Sequence, residues 1–168
     1  MSEKVKAVEF KCEVVSNVHV TPTVFLLHFR PSAPLPFKAG QFISIVVPGA
    51  GPGGRNLRRA YSIASNPERN PIELCVKLVE DGPGTNYLHG LKAGDTFTGF
   101  APYGDFVYVT DPSRSACFIS TGTGIAPFRA MLQSQAFKAA PPKKVISVFG
   151  VRDQSEDLYR EELREYAS

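Results

Sequence analysis

The pattern of the sequence changes near Ala116, and this change indicates two folded units. From Ala7 to about Gly99, short segments with strand character alternate with turns rich in proline and glycine. Such alternation is typical of a small antiparallel barrel or sandwich. From Ala116 onward, an apolar strand, a glycine-containing turn and a helix are followed by a second strand and helix, as at the start of a doubly wound parallel sheet. We therefore expect an antiparallel β-barrel domain over residues 1–108 and part of an α/β domain over residues 109–168.

The first unit contains about six predicted strands and a short helix. In Thr23–Arg30, the apolar residues Phe25, Leu27 and Phe29 occupy alternate positions, so they would fill the barrel interior from one face of the strand. Further strands are predicted over Gln41–Val47, Arg59–Ser65, Ile72–Val79 and Thr96–Ala101.

The second unit begins with a predicted strand over Ala116–Ser120. A helix is expected from about Ile125, with Pro127 in its first turn, where a missing N–H costs little. A second strand over Lys144–Val151 leads to a helix that Ser155 is expected to cap. The acidic side chains of that helix are expected to form a solvated face: Glu156, Asp157, Glu161, Glu162 and Glu165.

Two strands and two helices fall short of the roughly five strands of such a domain, and they leave sheet edges uncovered. The sequence therefore suggests a C-terminally truncated α/β domain, or one that another chain completes.

Charge and cysteine content exclude several functions. A net charge of +3, with scattered Lys and Arg, gives no basic stretch for nucleic acid. No apolar stretch reaches the roughly 20 residues of a membrane span, and the N-terminus lacks a signal-peptide core, so a cytoplasmic protein is expected. The three cysteines, Cys12, Cys75 and Cys117, are far apart, and their number argues against an iron–sulfur cluster, which usually needs four closely organised thiolates.

Arg59-Ala60-Tyr61-Ser62 combines three chemistries on one predicted strand. Arg59 offers charge-assisted hydrogen bonds to a phosphate, Tyr61 offers a flat ring for stacking, and Ser62 offers a hydroxyl. Alternation places Arg59 and Tyr61 on one face and Ser62 on the other. The alternative is a plain barrel strand with an exposed arginine.

Two glycine-containing turns precede predicted helices. In Gly82-Pro83-Gly84-Thr85, the glycines allow a close backbone approach and Thr85 is expected to cap the helix, whose free N–H groups suit a pyrophosphate. Thr121-Gly122-Thr123-Gly124 follows a strand in the same way, without the lysine of a nucleoside triphosphatase loop. The alternatives are a hairpin turn with a capped helix and a tight strand-to-helix turn.

These three motifs resemble, in order, the signatures of the ferredoxin reductase-like flavoproteins, and the resemblance covers almost the whole chain. The family's motif before the R-x-Y-S strand is matched by Phe37-Lys38-Ala39-Gly40-Gln41-Phe42. The resemblance implies an FAD-binding barrel followed by a domain that binds NADH or NADPH.

The resemblance also implies roles for particular residues in FAD binding. Tyr61 would stack on the isoalloxazine, Ser62 would hydrogen-bond near flavin N5, and both are the candidate catalytic residues. Arg59 would bind the pyrophosphate. The remaining contacts would come from Ala60, from Gly82, Gly84 and Thr85 beside the pyrophosphate, and from the main chain of Val76, Lys77 and Leu78.

The nicotinamide cofactor would be placed by Thr121, Gly122, Thr123 and Gly124, with Arg152 beside its adenosine portion. The implied function is hydride transfer from NAD(P)H to FAD, and then transfer of single electrons to a ferredoxin, flavodoxin or oxygenase partner. The alternative is a non-catalytic FAD-binding subunit that needs a partner chain. No metal site is expected, because His19, His28 and His89 lack a ligand spacing and suit surface or packing roles.

Overall fold

The computed structural model describes residues 6–167. Six strands of this range form one sheet, with the order β4-β3-β6-β1-β2-β5. The strands are β1 (Val8–His19), β2 (Val24–Pro31), β3 (Phe42–Val47), β4 (Leu57–Ser62), β5 (Ile72–Lys77) and β6 (Thr96–Tyr103). Every pairing between neighbouring strands of this sheet is antiparallel.

The two edge strands, β4 and β5, meet at one place. An isolated bridge joins Ile63 to Leu74, and the Ala64 amide donates to the Glu73 carbonyl at 2.8 Å. The sheet therefore curls until its edges touch, which confirms the predicted six-stranded antiparallel barrel.

The barrel interior is filled as the alternation in β2 predicts. Phe25, Leu27 and Phe29 are each fully buried, and the Phe29 ring packs edge-on against Phe97 with 5.2 Å between ring centroids. Burial of side chains of this size contributes about 1.5–3 kcal/mol each. The core of the first unit thus lies inside the curled sheet.

The second unit has the predicted strand, turn and helix order. Its strands are β7 (Ser115–Thr121) and β8 (Lys144–Gly150), which pair in parallel. A 3-10 turn over Gly122–Ile125 links β7 to a helix, and Pro127 lies in the first turn of that helix, as predicted. The helices of the described range are α1 (Pro83–Gly90), within the first unit, and α2 (Ala126–Gln133), α3 (Gln135–Ala139) and α4 (Arg160–Ala167). The partial α/β prediction is therefore confirmed.

A small apolar cluster joins the two units. Ala64 and Cys75, which lie beside the closing bridge of the barrel, pack with Ile125 and Ala126, which begin α2, and with Leu158. Because Ile125 directly follows the Thr121–Gly124 turn, this packing fixes the turn beside the place where β4 and β5 meet.

Two predicted helix caps are wrong. Thr85 lies inside α1, which begins at Pro83 with Gly82 at its N-cap, because a proline suits the first helical position. Ser155 lies in a 3-10 turn, where its N–H and hydroxyl both donate to the Asp153 carboxylate, at 2.8 and 2.7 Å. Asp153 therefore caps this turn, and α4 begins only at Arg160.

The predicted solvated acidic face is also wrong for two of its members. Both Glu156 carboxylate oxygens accept from the Thr23 hydroxyl at 2.8–2.9 Å, and Glu162 accepts from Arg129 and Gln133. Glu162 faces the rest of the protein because α4 packs against α2, and Glu156 does so because the 3-10 turn before α4 lies beside Thr23, just before β2. No helix within residues 6–167 has the length and apolar character needed to cross a bilayer.

Candidate functional site

An open edge of the barrel lies between β4 and β5. Each strand pairs on its other side, with β3 and β2 respectively, and within residues 6–167 the two are bridged to each other at Ile63 and Leu74 alone. The main chain of Val76, Lys77 and Leu78 therefore continues past the bridge without a strand beside it on that edge. Unpaired strand edges present main-chain donors and acceptors, which a flat heterocycle can use.

The start of α1 contacts the β4 side of this edge. A Cβ atom built on Gly84 would lie 2.5 Å from Tyr61 Oη and 2.8 Å from Arg59 Cγ. Arg59 and Tyr61 therefore share the face that α1 approaches, as strand alternation predicts. The structure brings Arg59, Tyr61 and Gly84 together, three of the residues selected from the sequence.

The loop before α1 is held by its own side chains. The Thr85 hydroxyl accepts from the Val79 amide at 3.2 Å and contacts the Gly82 carbonyl at 3.1 Å. The Asn86 side-chain amide donates to the carbonyls of Val79, Glu80 and Gly82 at 2.9–3.0 Å. Sequence reasoning missed Asn86. These bonds fix the loop while the N–H groups at the start of α1 stay available to an anion.

The electrostatics of this corner suit a pyrophosphate and a neutral flat ring. Arg59 is exposed, and its guanidinium donates to the Arg58 carbonyl at 2.9 Å, while the aliphatic base of its side chain lies beside the start of α1 at Gly84. Burial raises the pKa of the half-buried Tyr61 phenol, against the opposing charge of Arg59. The ring is therefore neutral at physiological pH. Ser62 is half-buried and Ala60 is exposed, so both are accessible in part to a ligand at this edge.

The second glycine turn opens onto free space. Gly122 has a φ of +49°, and a Cβ atom on either Gly122 or Gly124 would meet no atom within 4 Å. Thr121 is exposed and Thr123 is half-buried. A ligand can therefore approach the backbone of this turn closely.

Arg152 lies at the same end of the small parallel sheet as this turn. Thr121 pairs with Gly150 in the register of β7 and β8, and the exposed Arg152 follows shortly after. The carboxyl ends of parallel strands form the edge where open α/β sheets bind their ligands.

A buried ion pair lies behind the site, and sequence reasoning missed it. Glu73 on β5 and Arg129 on α2 are 2% and 5% exposed, and they are joined by a 2.9 Å contact between Oε1 and Nη1. His28 contacts the other Glu73 oxygen at 3.0 Å, and the Tyr159 hydroxyl donates to Oε1 at 2.7 Å. The available signal was a charged residue inside each of two apolar segments, Ile72–Val76 and Ala126–Leu132.

Opposing effects act on the ionisation of this cluster. Burial by itself would raise the pKa of Glu73, but hydrogen bonds from His28 and Tyr159 and the charge of Arg129 outweigh it and lower the pKa. Glu73 is therefore ionised at neutral pH. Burial raises the pKa of the neighbouring Cys75 thiol to about 12, so this buried thiol stays protonated at neutral pH.

Acid should weaken the fold through Glu73. A carboxyl whose pKa is lower in the folded than in the unfolded state contributes stability above its unfolded pKa, and this contribution is lost as pH falls through the folded value. We expect the unfolding free energy to fall as pH drops below the ordinary glutamate value of 4.5. In Glu73→Gln, we expect less stability at pH 7 and a shallower acid dependence in urea unfolding between pH 7 and 3. Parallel pH profiles for the two proteins would contradict this assignment.

Two of the three histidines meet at the surface. His19 Nε2 and His89 Nε2 lie 2.8 Å apart, and the two rings pack edge-on with 5.0 Å between centroids. Across residues 6–167, no group of three or more metal-ligating side chains comes together.

The family models that match the two units define the class of two-part oxidoreductases with an FAD-binding and an NAD-binding domain. The model of the oxidoreductase FAD-binding domain matches residues 11–108, and the model of the oxidoreductase NAD-binding domain matches residues 118–168. This chain belongs to the ferredoxin reductase-like family of FAD-binding oxidoreductases. The resemblance that the motifs indicated is thereby confirmed, together with the pairing of an FAD-binding and a nicotinamide-binding domain.

Relatives of known identity place the chain within this family. Ferredoxin–NADP reductase B of Sorangium cellulosum (strain So ce56) is 36% identical over 168 residues, which cover 97% of this chain and 66% of the relative. Phenol 2-monooxygenase, reductase component DmpP, of Pseudomonas sp. (strain CF600) is 32% identical over 159 residues, covering 94% of this chain and 43% of the relative.

A solved structure shares the fold. The crystal structure of the Amycolatopsis cytochrome P450 reductase GcoB is 30% identical and matches with a TM-score of 0.80, covering 95% of this chain and 49% of that chain. The present chain thus spans between 43% and 66% of the length of these three proteins.

Proposed function

We propose that this chain supplies the FAD-binding portion and part of the nicotinamide-binding portion of an NAD(P)H-dependent reductase. Its acceptor is proposed to be a ferredoxin, a flavodoxin or the oxygenase component of a multi-protein system. This proposal rests on the arrangement of residues at one corner of the molecule. There, the start of α1 lies on Arg59 and Tyr61, and the Thr121–Gly124 turn is packed beside the adjoining barrel edge.

The barrel residues fit FAD. Arg59 and the N–H groups at the start of α1 bind the pyrophosphate from two sides, because both present positive charge to the same corner. Tyr61 stacks on the ring system, Ser62 donates or accepts a hydrogen bond near N5, and Val76–Leu78 provide main-chain contacts along its edge. When bound, the flavin accepts two electrons as hydride and releases them singly.

The glycine turn fits the nicotinamide cofactor. Thr121–Gly124 allow the cofactor to approach the backbone, and Thr123 is proposed to lie closest to both cofactors. Arg152 is proposed to contact the adenosine portion from the same sheet end. These residues leave the choice between NADH and NADPH open.

Domain limits and location complete the proposal. The limits are proposed as residues 1–108 and 109–168, supported by the end of the first family match at residue 108. A cytoplasmic location is proposed because Cys12, Cys75 and Cys117 are all free thiols, which reducing compartments preserve.

A second candidate function is a non-catalytic FAD-binding subunit that needs a partner chain. The observation that favours it is the exposed apolar surface of the small sheet, where Ile119 is 69% and Val148 is 51% exposed. Apolar sheet surface of this kind is normally covered by further elements or by another chain.

A visible absorption spectrum separates these functions. The purified chain with FAD is expected to show bound flavin, and anaerobic NADH or NADPH is expected to bleach it. Bound flavin that neither nucleotide bleaches would favour the partner-dependent subunit. A spectrum of free flavin alone would contradict both functions.

A further inference from the structure

One guanidinium connects both sides of the barrel edge to the nicotinamide-binding unit. Arg129 lies on α2, the helix that follows the Thr121–Gly124 turn, and it is buried. Its Nη1 donates to the Ala64 carbonyl at 2.9 Å and to the Glu73 carboxylate at 2.9 Å. Ala64 lies just beyond the end of β4, and Glu73 lies on β5. Arg129 therefore contacts both sides of the place where the barrel closes.

The other groups around Arg129 hold its plane in one orientation. Its Nε donates to both Glu162 oxygens, at 2.8 and 3.0 Å. The Tyr159 ring lies 4.2 Å from the guanidinium carbon, and the Tyr159 hydroxyl donates to Glu73. A planar guanidinium held at its edge and its face has little freedom to rotate or slide.

Such a buried charge cluster is better suited to fixing geometry than to adding stability. Desolvation of the charges offsets much of their attraction, so a well-packed apolar contact of the same volume would stabilise the fold as well or better. The apolar contacts of Ile125 and Ala126 with the barrel are non-directional. The bonds of Arg129 are directional, and they determine where the turn lies along the edge between β4 and β5.

We propose that Arg129 is a positioning residue that holds the Thr121–Gly124 turn at the distance from β4 and β5 that hydride transfer requires. This inference rests on the proposed function, because it assumes flavin at the barrel edge and nicotinamide on the turn. Hydride transfer needs reacting atoms about 3–3.5 Å apart, and a displacement of about 1 Å costs on the order of a hundredfold in rate.

Arg129→Lys tests the proposal with the buried charge retained. Lysine can still pair with Glu73 but cannot bond to Ala64, Glu73 and Glu162 together. In anaerobic stopped-flow mixing with NADH or NADPH, we expect FAD affinity within about threefold of the original chain, and a limiting rate of flavin reduction at least roughly tenfold lower. A limiting rate equal to that of the original chain would overturn the proposal.

Two further variants separate positioning from folding. The double variant Glu73→Gln with Arg129→Met removes both buried charges together, and Glu162, the other ion-pair partner of Arg129, is partly exposed and keeps its bond from Gln133. It should fold, bind FAD and show the same slow reduction. Arg164→Gln removes an arginine from an exposed ion pair on α4 and should match the original chain in every measurement. If the double variant reduces FAD at the original rate, the contacts of Arg129 do not position the turn.

A measurement without any cofactor distinguishes failure of this inference from failure of the proposed function. In Arg129→Lys, amide hydrogen exchange should rise at least roughly tenfold in the peptides that contain Thr121–Gly124 and Ala64, and stay unchanged in β1 and β6. Unchanged exchange in the turn would overturn the positioning role. If the original chain binds no FAD or is not bleached, the proposed function fails, and the exchange result still decides whether Arg129 holds the turn.

Discussion

Replacement of Gly84 by alanine is expected to weaken FAD binding by roughly a hundredfold, or about 2.8 kcal/mol. The added Cβ would lie 2.5 Å from Tyr61 Oη, 2.8 Å from Arg59 Cγ and 3.1 Å from Arg59 Cβ. Neither neighbour gives way easily, because the Tyr61 ring is rigid and Arg59 Cβ is attached to the strand backbone. Either the start of α1 or the two side chains must move. The phosphate-binding and stacking groups of the proposed site then separate.

The matched control for this prediction is Gly90→Ala, the same substitution at the end of the same helix. A Cβ at Gly90 would meet no atom within 4 Å, so FAD affinity should stay within about twofold. Titration of each apoprotein with FAD, followed by flavin fluorescence, gives both dissociation constants. Equal affinity in folded Gly84→Ala and Gly90→Ala proteins would show that α1 and β4 do not form a shared FAD site.

Replacement of Gly40 by alanine is expected to lower the unfolding free energy by about 2–4 kcal/mol, through backbone strain of about 1–2 kcal/mol and overpacking of similar size. Gly40 has a φ of +100°, and its Cβ would lie 2.0 Å from the Phe106 carbonyl oxygen and 2.5 Å from Met131 Cε. Met131 lies on α2, so the close approach occurs where the barrel meets the second unit. Urea unfolding of the apoprotein measures the loss.

Gly94→Ala separates the two contributions. Gly94 also has a positive φ, of +91°, but its Cβ would meet no atom within 4 Å. This variant should therefore show the backbone strain alone, about 1–2 kcal/mol. If Gly40→Ala and Gly94→Ala lose the same stability, the contact with Phe106 and Met131 has no measurable cost.

The elements that local pattern specifies could be predicted from the sequence. Alternation in β2 identified the buried face of Phe25, Leu27 and Phe29, because the alternating pattern lies within a single strand and depends on no distant residue. The Thr121–Gly124 turn was also recognisable, since its glycines stand between an apolar strand and a helix. The prediction that Ser155 caps a helix was wrong because a nearby carboxylate accepts its hydrogen bonds. Asp153, two residues earlier, binds both donors of that serine.

The site could be predicted as a set of motifs but not as an arrangement. Arg59 and Tyr61 were selected as ligands of a cofactor, whereas their contact with Gly84 depends on how α1 packs against β4. The pairing of Glu73 with Arg129 joins a barrel strand to a helix of the other unit. Each residue is an isolated charge in an apolar segment, and neither segment identifies its partner.

The place where the barrel closes is also the place where the nicotinamide-binding unit is attached. Ala64 and Glu73 bond to each other across the barrel edge, and both accept from Arg129. The two units are consequently poor candidates for independent exchange. A chimaera that joins this barrel to the nucleotide-binding unit of a relative would need a matched arginine and acidic partner on the incoming helices. Swaps chosen by the domain limit alone would leave Glu73 buried without the guanidinium of Arg129.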